Sequence, residues 1–575
     1  MKFLLLLAFG LTATPALAAP SCRGAELRLA WPIGGAYGAD WVINNYLDLD
    51  DGVGLKDWMG NTGAQAKTYN GHHGIDIDLR DFRAMDLGVA ATSAAPGVVT
   101  EVEDDLFDHN FEGAPGCGPW NHVYIKHDNG YVSWYGHLKF KSVAVKVGDR
   151  VRAQQFLGLV GSAGCSSTAH LHFELHDCDD KVVDPSLENM FQDPQPYSPS
   201  LRLMDLIVRR GPFPTLTPAD ALLKDPQPNA LGIPAGGRIG VGLSTAGGVK
   251  GDRIDVQIVR PGGGVFHTFS TLTLDNDGRH MWPRWWVALP ADAKVEGGWK
   301  VEVRFNSQLV KTHDFSIQPT SEDIFFGQHD MGYPAQFNSL VTDGYRPIRV
   351  DGSPSPEGGA RISGIFRRGG SSPFRADHNL TSADYQAIFN QELAAHHQLI
   401  SIDNYLVNGE PRIASVFGKQ VNNDWQAYHL VSVNDHQAKF NQLTGQGFRP
   451  YVISVTAKDG RAYISAAYNK EPSRGWVAKF GLDSAGYQRE IDAQKAKGFA
   501  PEYIDAYEDG GIPKFSVIWT VEANSVAWEA RHNLDQDQMF RFAAEQTRLR
   551  HFAKSITSYL SGGKRLYAGV WSASP

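Results

Sequence analysis

The sequence predicts a mainly β protein built from several domains. Three observations carry that expectation. The chain has 575 residues, too many for one hydrophobic core. Short alternating apolar runs are punctuated by Gly, Asn and Asp turns rather than by long helical periods. A spacing near 51 residues recurs through the C-terminal part. Hydrophobic residues make up 42% of the chain, enough for ordinary globular packing, and the formal net charge of −9 argues against a nucleic-acid footprint.

Residues 25–190 form the first expected domain, an antiparallel β-sheet. Val98-Val99-Thr100-Glu101-Val102, His122-Val123-Tyr124-Ile125-Lys126 and Tyr131-Val132-Ser133-Trp134-Tyr135 alternate as strands do, and Asp128-Asn129-Gly130 supplies a turn. Residues 191–202, with Pro194, Pro196 and Pro199, read as a Pro/Ser linker. Residues 203–318 suit an Ig-like β-sandwich, with about seven short strands. Arg253–Val259 and Trp299–Phe305 alternate, and no ionisable cluster appears between them. A spacer or binding module is the expectation there.

Residues 325–575 repeat. Phe374, Trp425, Trp476 and Trp528 are spaced by 51, 51 and 52, and Gly359, Gly409, Gly460, Gly511 and Gly562 by 50 or 51. Each unit reads as a strand (Phe448–Val455), a Gly turn, a return strand (Arg461–Ala466), a third short strand opened by the aromatic residue, and a closing helix (Tyr487–Lys497, capped by Asp483). A period near 50 suits kelch propellers, but those lack a helix in each unit. The expectation is five β-hairpin-plus-helix tandem repeats, the last incomplete.

Residues 1–18 have a positive start, an apolar run and the small-residue sequence Ala16-Leu17-Ala18, the pattern of a secretory signal peptide. Ala19-Pro20-Ser21-Cys22 lacks the Leu of a lipoprotein box. No later stretch is long and apolar enough to span a bilayer, so a secreted or periplasmic protein is expected. Export permits disulfides, and all four cysteines precede residue 180. If the strand at Val123–His127 pairs with the one leading to Leu138, Cys117 and Cys165 meet at one rim. Cys117–Cys165 and Cys22–Cys178 are the expected bridges.

The chemistry-bearing residues are His72-His73-Gly74-Ile75-Asp76 and, about a hundred residues later, His170-Leu171-His172. A His and an Asp four apart, with a His-x-His on a strand, supply three zinc ligands and a spare imidazole. Residues i and i+2 of a strand share one face, so both histidines of the second motif look into one site. Two imidazoles and one carboxylate leave a zinc position open, as catalytic sites do. Zinc lowers the pKa of water from 15.7 to about 7, and histidine, near pKa 6.5, suits the accompanying proton transfers.

These residues fall in an ordered series. Gly71-His72-His73-Gly74-Ile75-Asp76 resembles the H-x-G-x-D motif of the M23 (lysostaphin/LytM-type) peptidases. Asn121–His127 with Trp134-Tyr135-Gly136-His137 resembles that family's central hairpin. Val147–Val151 and Gly158–Gly164 resemble the lead-in to its H-L-H-F-E strand, here His170-Leu171-His172-Phe173-Glu174. The resemblance implies a zinc endopeptidase in which His72, Asp76 and His172 hold one Zn2+ and His137 and His170 are catalytic. His170 is assigned as general base and His137 as acid or transition-state stabiliser, with those roles exchangeable. It implies peptidoglycan peptides or Gly-rich bridges as substrate. Two departures stand out: Ser167-Thr168-Ala169 replaces the usual Ser-Thr-Gly-Pro, and the insert Asp104–Pro119 is long. The repeats resemble those beside secreted polyglycine hydrolases, which implies targeting to a cell-surface polymer.

His122, His127 and His176 are expected to be hydrogen-bonded strand residues, Glu174 a strand or ligand-supporting residue, and Trp425, Trp476 and Trp528 buried repeat anchors. Asn44 or Asn45 is a candidate temporary fourth ligand. Two rival readings stand beside the cell-wall peptidase: a protease of Gly-rich extracellular proteins, and a non-catalytic surface binding or adhesion protein using the peptidase fold as scaffold.

Overall fold

A computed structural model describes residues 27–111, 118–213, 220–293, 297–318, 322–356, 358–369, 373–419, 424–470, 475–521 and 526–574. The first region is a seven-stranded sheet in the order Trp41–Asn45, Ile75–Leu79, His170–His176, Val132–Gly136, His122–His127, Gly97–Glu103 and Arg150–Val151. All neighbours are antiparallel. Strand period two explains how this sheet builds a site. In His170–His176, Leu171, Phe173 and Leu175 enter the core with Val123, Ile125 and Tyr135, each contributing about 1.5–3 kcal/mol of burial. The alternate residues His170, His172, Glu174 and His176 form a polar row on the other face, and that row is buried too. Buried polar groups need partners, so the row specifies its own surroundings.

The second region stacks two sheets over one core. Arg202–Arg210, Arg238–Ala246 and Arg284–Ala288 form one; Gly232–Pro234, Gln308–Gln318, Trp299–Phe305, Arg253–Val259 and Val265–Thr268 run across the other. Val208, Val241 and Leu243 of the first meet Val256, Val301 and Phe315 of the second. The Pro/Ser stretch before it is docked, not free-running. Tyr197 stacks on Tyr46 with ring centres 5.5 Å apart, and its hydroxyl donates to Asp57.

The repeats form five three-stranded sheets. The first strand, opened by Phe374, Trp425, Trp476 or Trp528 in the last four units, is followed by the helix, then a strand and its return, and the return strand lies in the middle of each sheet. This corrects the unit read from sequence. The third short strand belongs to the following sheet, and all five units are complete, from Glu322–His329 onward. Self-similarity reports a period but no phase, which is why the boundary was misplaced. The helix expected at Tyr487–Lys497 is Ser484–Ala496, with Asp483 accepting from the Gly486 N–H. Trp425 and Trp476 are only partly buried, each packed edge-on against Phe389 or Phe440 at 5.7 and 5.9 Å. Trp519 and Trp571 are the fully buried ones.

The array closes on itself. The strands Tyr345–Pro354, His397–Val407, Arg449–Lys458, Phe499–Asp509 and Phe552–Ser561 contact one another in sequence, and the last also contacts the first. One hydrogen bond repeats around this ring. The backbone N–H of Gly352 donates to Asp403, Asn404 to Ser454, Val455 to Asp505, Ala506 to Thr557, and Ser558 back to Asp351, all between 2.7 and 3.0 Å. The ring abuts both other regions. Arg361 donates to Asp86 at 2.8 Å, His329 stacks on His109 at 4.7 Å, and Arg209 donates to Gln336 at 2.7 Å. Among the described residues, no helix is long and apolar enough to cross a membrane.

Candidate active site

Register brings the two motifs together. In the antiparallel pair of Ile75–Leu79 with His170–His176, Asp76 lies opposite His172 and Asp78 opposite His170. His72 Nε2 lies 3.1 Å from Asp76 Oδ1 and 3.3 Å from His172 Nδ1, and His172 Nδ1 is 2.8 Å from Asp76 Oδ1. His72, Asp76 and His172 thus present one nitrogen or oxygen each, all within 4.8 Å of one another. His170 Nε2 is 3.5 Å from Asp76 Oδ1. The His137 ring stands 4.5 Å from that of His170 and 5.9 Å from that of His172. All five residues singled out in the sequence therefore meet at one place.

The remaining ring nitrogens are held by acceptors, which sets the tautomers. His72 Nδ1 faces Tyr46 O at 2.7 Å, His137 Nδ1 faces Ala163 O at 2.5 Å, and His170 Nδ1 faces Thr168 O at 2.9 Å. Each then turns Nε2 inward. His172 is reversed: its Nε2 meets Glu174 Oε1 at 2.8 Å, leaving Nδ1 for the centre. Glu174 is in turn held by His176 Nε2 at 2.8 Å. Such outer partners orient metal-binding imidazoles and raise their basicity. The departure at Ser167-Thr168-Ala169 adjoins the site, since Thr168 O orients His170.

Burial and charge shape the protonation. Burial alone would raise Asp76, but the neighbouring His72 and His170 hold it well below the usual carboxylate range. Burial, reinforced by His170 and His172, pushes His137 well below its ordinary value. Burial would lower His172 and His170 as well; hydrogen bonds to Asp76 and Glu174 instead raise His172 to about 9, and the charge of Asp76 raises His170. The shifts on His170 and His172 depend on the Asp76 charge, which a bound cation would offset. His137 also has a φ of +59°, a left-handed conformation costing about 1–3 kcal/mol and concentrated at functional positions.

The donors open into a cleft of about 340 Å³ lined by Tyr69, His73, Trp120, His137, His172 and Glu174. Sequence reasoning missed Tyr69 and Trp120. Tyr69 stacks on His72 at 4.3 Å, and burial with the nearby Asp76 charge raises its phenol, keeping it a donor. Its place three residues before His72 was the available signal. Trp120 stands edge-on to His137 at 4.8 Å, and nothing local marked it. Asn45 Nδ2 donates to Asp76 Oδ2 at 2.9 Å, so it braces the carboxylate instead of pointing a lone pair at the centre.

The other expectations divide cleanly. His122, His127 and His176 are hydrogen-bonded strand residues. Each expected disulfide has one partner, Cys117 or Cys22, outside the described residues, as does the signal segment; Cys165, at the cleft rim, and Cys178 are not free.

Residues 70–185 match the family described as Peptidase family M23. The segments 326–369, 371–420, 422–471, 473–521 and 525–574 match a polyglycine hydrolase-like structural repeat. The chain thus carries an M23 peptidase domain and, beyond the β-sandwich, five such repeats. It is 31% identical over 128 residues to the glycyl-glycine endopeptidase ALE-1 of Staphylococcus capitis, covering 22% of this chain and 28% of that protein. It is 43% identical over 106 residues to the peptidoglycan DD-endopeptidase ShyC of Vibrio cholerae, covering 18% and 22%. Among solved structures, the catalytic domain of the antimicrobial peptidase lysostaphin from Staphylococcus simulans aligns at 26% identity and a TM-score of 0.15, covering 20% of this chain and 75% of that one. The chain spans about a quarter of the length of the curated relatives it matches.

Proposed function

We propose that this protein is an exported zinc metalloendopeptidase hydrolysing peptide bonds in bacterial peptidoglycan, in stem peptides or Gly-rich bridges. The observation that carries the reading is the convergence of His72 Nε2, His172 Nδ1 and Asp76 Oδ1 within 4.8 Å. The donor set fits zinc: two imidazoles, each tied through its other nitrogen, and one carboxylate, with a cleft on the remaining side. Zinc held by these three residues would supply the Lewis acidity for activating water and polarising an amide carbonyl.

The chain's own residues do the rest. His170 takes the proton of the attacking water at Nε2. His170 then returns that proton from Nε2 to the leaving nitrogen, and His137, tied at Nδ1 to Ala163 O, stands beside it at the transition state with 4.5 Å between the ring centres. Thr168 O and Ala163 O hold the two rings in the required orientation. Tyr69 and Trp120 form the walls against which the peptide lies. The relatives named for glycyl-glycine and peptidoglycan cleavage support that substrate class. In this reading residues 1–18 direct export, Cys117–Cys165 braces the cleft rim, Cys22–Cys178 ties down the N-terminus, and residues 325–575 bind the solid substrate. The test is metal analysis of the purified chain with mass mapping of products from purified cell walls. Zinc near one per chain and chelator-sensitive release of cut peptides are expected. Wall binding without cleavage would overturn it.

A further inference from the structure

The β-sandwich, expected to be a spacer, reaches into the support of the metal-binding carboxylate. Arg279 lies in the loop between its strands Leu272–Thr273 and Arg284–Ala288. Its Nη1 donates to Asn45 Oδ1 at 3.0 Å, and its Nη2 donates to Ala66 O and, at 3.0 Å, to Thr68 O. Asn45 is buried, sits opposite Asp76 in the sheet, and donates from Nδ2 to Asp76 Oδ2 at 2.9 Å. The next residue repeats the pattern. His280 N donates to Asn44 Oδ1, Asn44 Nδ2 donates to Asp78 Oδ2, and His280 Nδ1 lies 3.0 Å from that same oxygen.

We propose that Arg279 is a positioning residue for the peptidase centre, orienting Asp76 through the Asn45 side chain. An asparagine amide has a donor end and an acceptor end. A guanidinium on one side claims the oxygen, so the NH2 is turned toward Asp76. That hydrogen bond occupies Oδ2 and leaves Oδ1 to face His72 and His172. Without Arg279 the amide is free to rotate and set oxygen against oxygen. The second arm of the fork holds the Ala66 and Thr68 carbonyls, just ahead of Tyr69 and His72. Thr68 Oγ1 donates to Tyr46 O, the same carbonyl that receives His72 Nδ1. One side chain from another domain thus steadies two of the three donors.

The inference rests on the zinc reading, and the experiment separates the two. Zinc dissociation constants are measured on the full chain by competition with a chromogenic chelator. Arg279→Ala and Asn45→Ala should each weaken zinc about 10–100-fold, the range for outer supports of metal ligands. The double variant should lose no more than the larger single one, because both act on one path. Gln65→Ala removes another contact across the same interface, to Asn276, and should leave zinc affinity unchanged. Should Arg279→Ala fail to fold, Arg279→Lys decides, since a single-point donor replaces the fork and affinity should drop by about tenfold. Unchanged affinity in a folded Arg279 variant, or fully additive losses, overturns the proposal. Failure of the wild-type chain to bind zinc sinks the functional reading itself.

Discussion

Replacing Arg349 by methionine should open the ring of repeats. Arg349 is buried and donates from Nε to Ile556 O and from Nη2 to Ile504 O, both at 2.8 Å. Its guanidinium lies over Tyr503 at 4.2 Å. Beside it stand Asp351, Asp403 and Asp505, whose carboxylates approach within 4.8 Å of one another. Burial raises all three above the ordinary carboxylate range, repulsion from Asp403 adds to it for Asp351 and Asp505, and Arg349 pulls each back down. Methionine keeps roughly the volume, removes the positive charge that faces these carboxylates, and strands two carbonyls. Breaking a buried charge pair costs about 3–5 kcal/mol. The sign with pH follows from the raised values. Carboxylates bound more tightly to protons in the folded state contribute stability below about pH 4, and that contribution is lost as pH rises through their folded pKa values. The loss in Arg349→Met should therefore be larger at pH 8 than at pH 5. Asp505→Asn added to it should recover part of the loss. Hydrogen exchange of peptides spanning 499–509 and 552–561, in the full chain, reads the opening free energy directly. A cost below about 1 kcal/mol, or one indifferent to pH, would refute the reasoning.

Three further outcomes are expected. His172→Ala should lose both zinc and turnover, whereas His170→Ala should keep most of the zinc with kcat down about 100-fold or more; equal metal loss in both would mean that the strand's two imidazoles are wrongly assigned. Glu174→Ala removes the partner of His172 Nε2, so zinc affinity should fall about 10–100-fold, read by isothermal titration. Asp81 caps the helix Phe82–Leu87 by accepting from the Ala84 N–H, and burial raises it to about 7 despite Arg80. Its stabilising contribution is therefore present at low pH and lost as pH rises through 7. Asp81→Asn keeps the cap without the charge, so its melting temperature should exceed that of the wild type above pH 7 and not below pH 4.

Much of the peptidase region was legible because its signals are local. Alternation marked the strands at 97–103, 122–127 and 132–136. The His-x-His of residues 170–172 places both side chains on one face through the geometry of a strand alone. His137 could be assigned only through its place in the ordered motif series, since no nearby residue points to it. Glu174, expected as a strand or ligand-supporting residue, lies in the strand and meets His172 Nε2 at 2.8 Å. The repeat period was visible in Trp and Gly spacing, but the unit boundary was not, because a period has no origin. Trp120 and Arg279 were invisible, since their importance lies in partners distant along the chain.

By itself, the sequence determined the β character, the count of repeats, and the residue types able to hold a metal. Each of these is written in spacings of a few residues or in a fixed period, where backbone geometry links position to face. Only the tertiary structure decided that the five repeats close into a ring, that Arg349 sits among three aspartates, and that the β-sandwich grips Asn45. Those outcomes depend on strand register and on which loops meet. They are set by burying apolar faces together while pairing every polar group the burial strands, a condition on the whole chain at once.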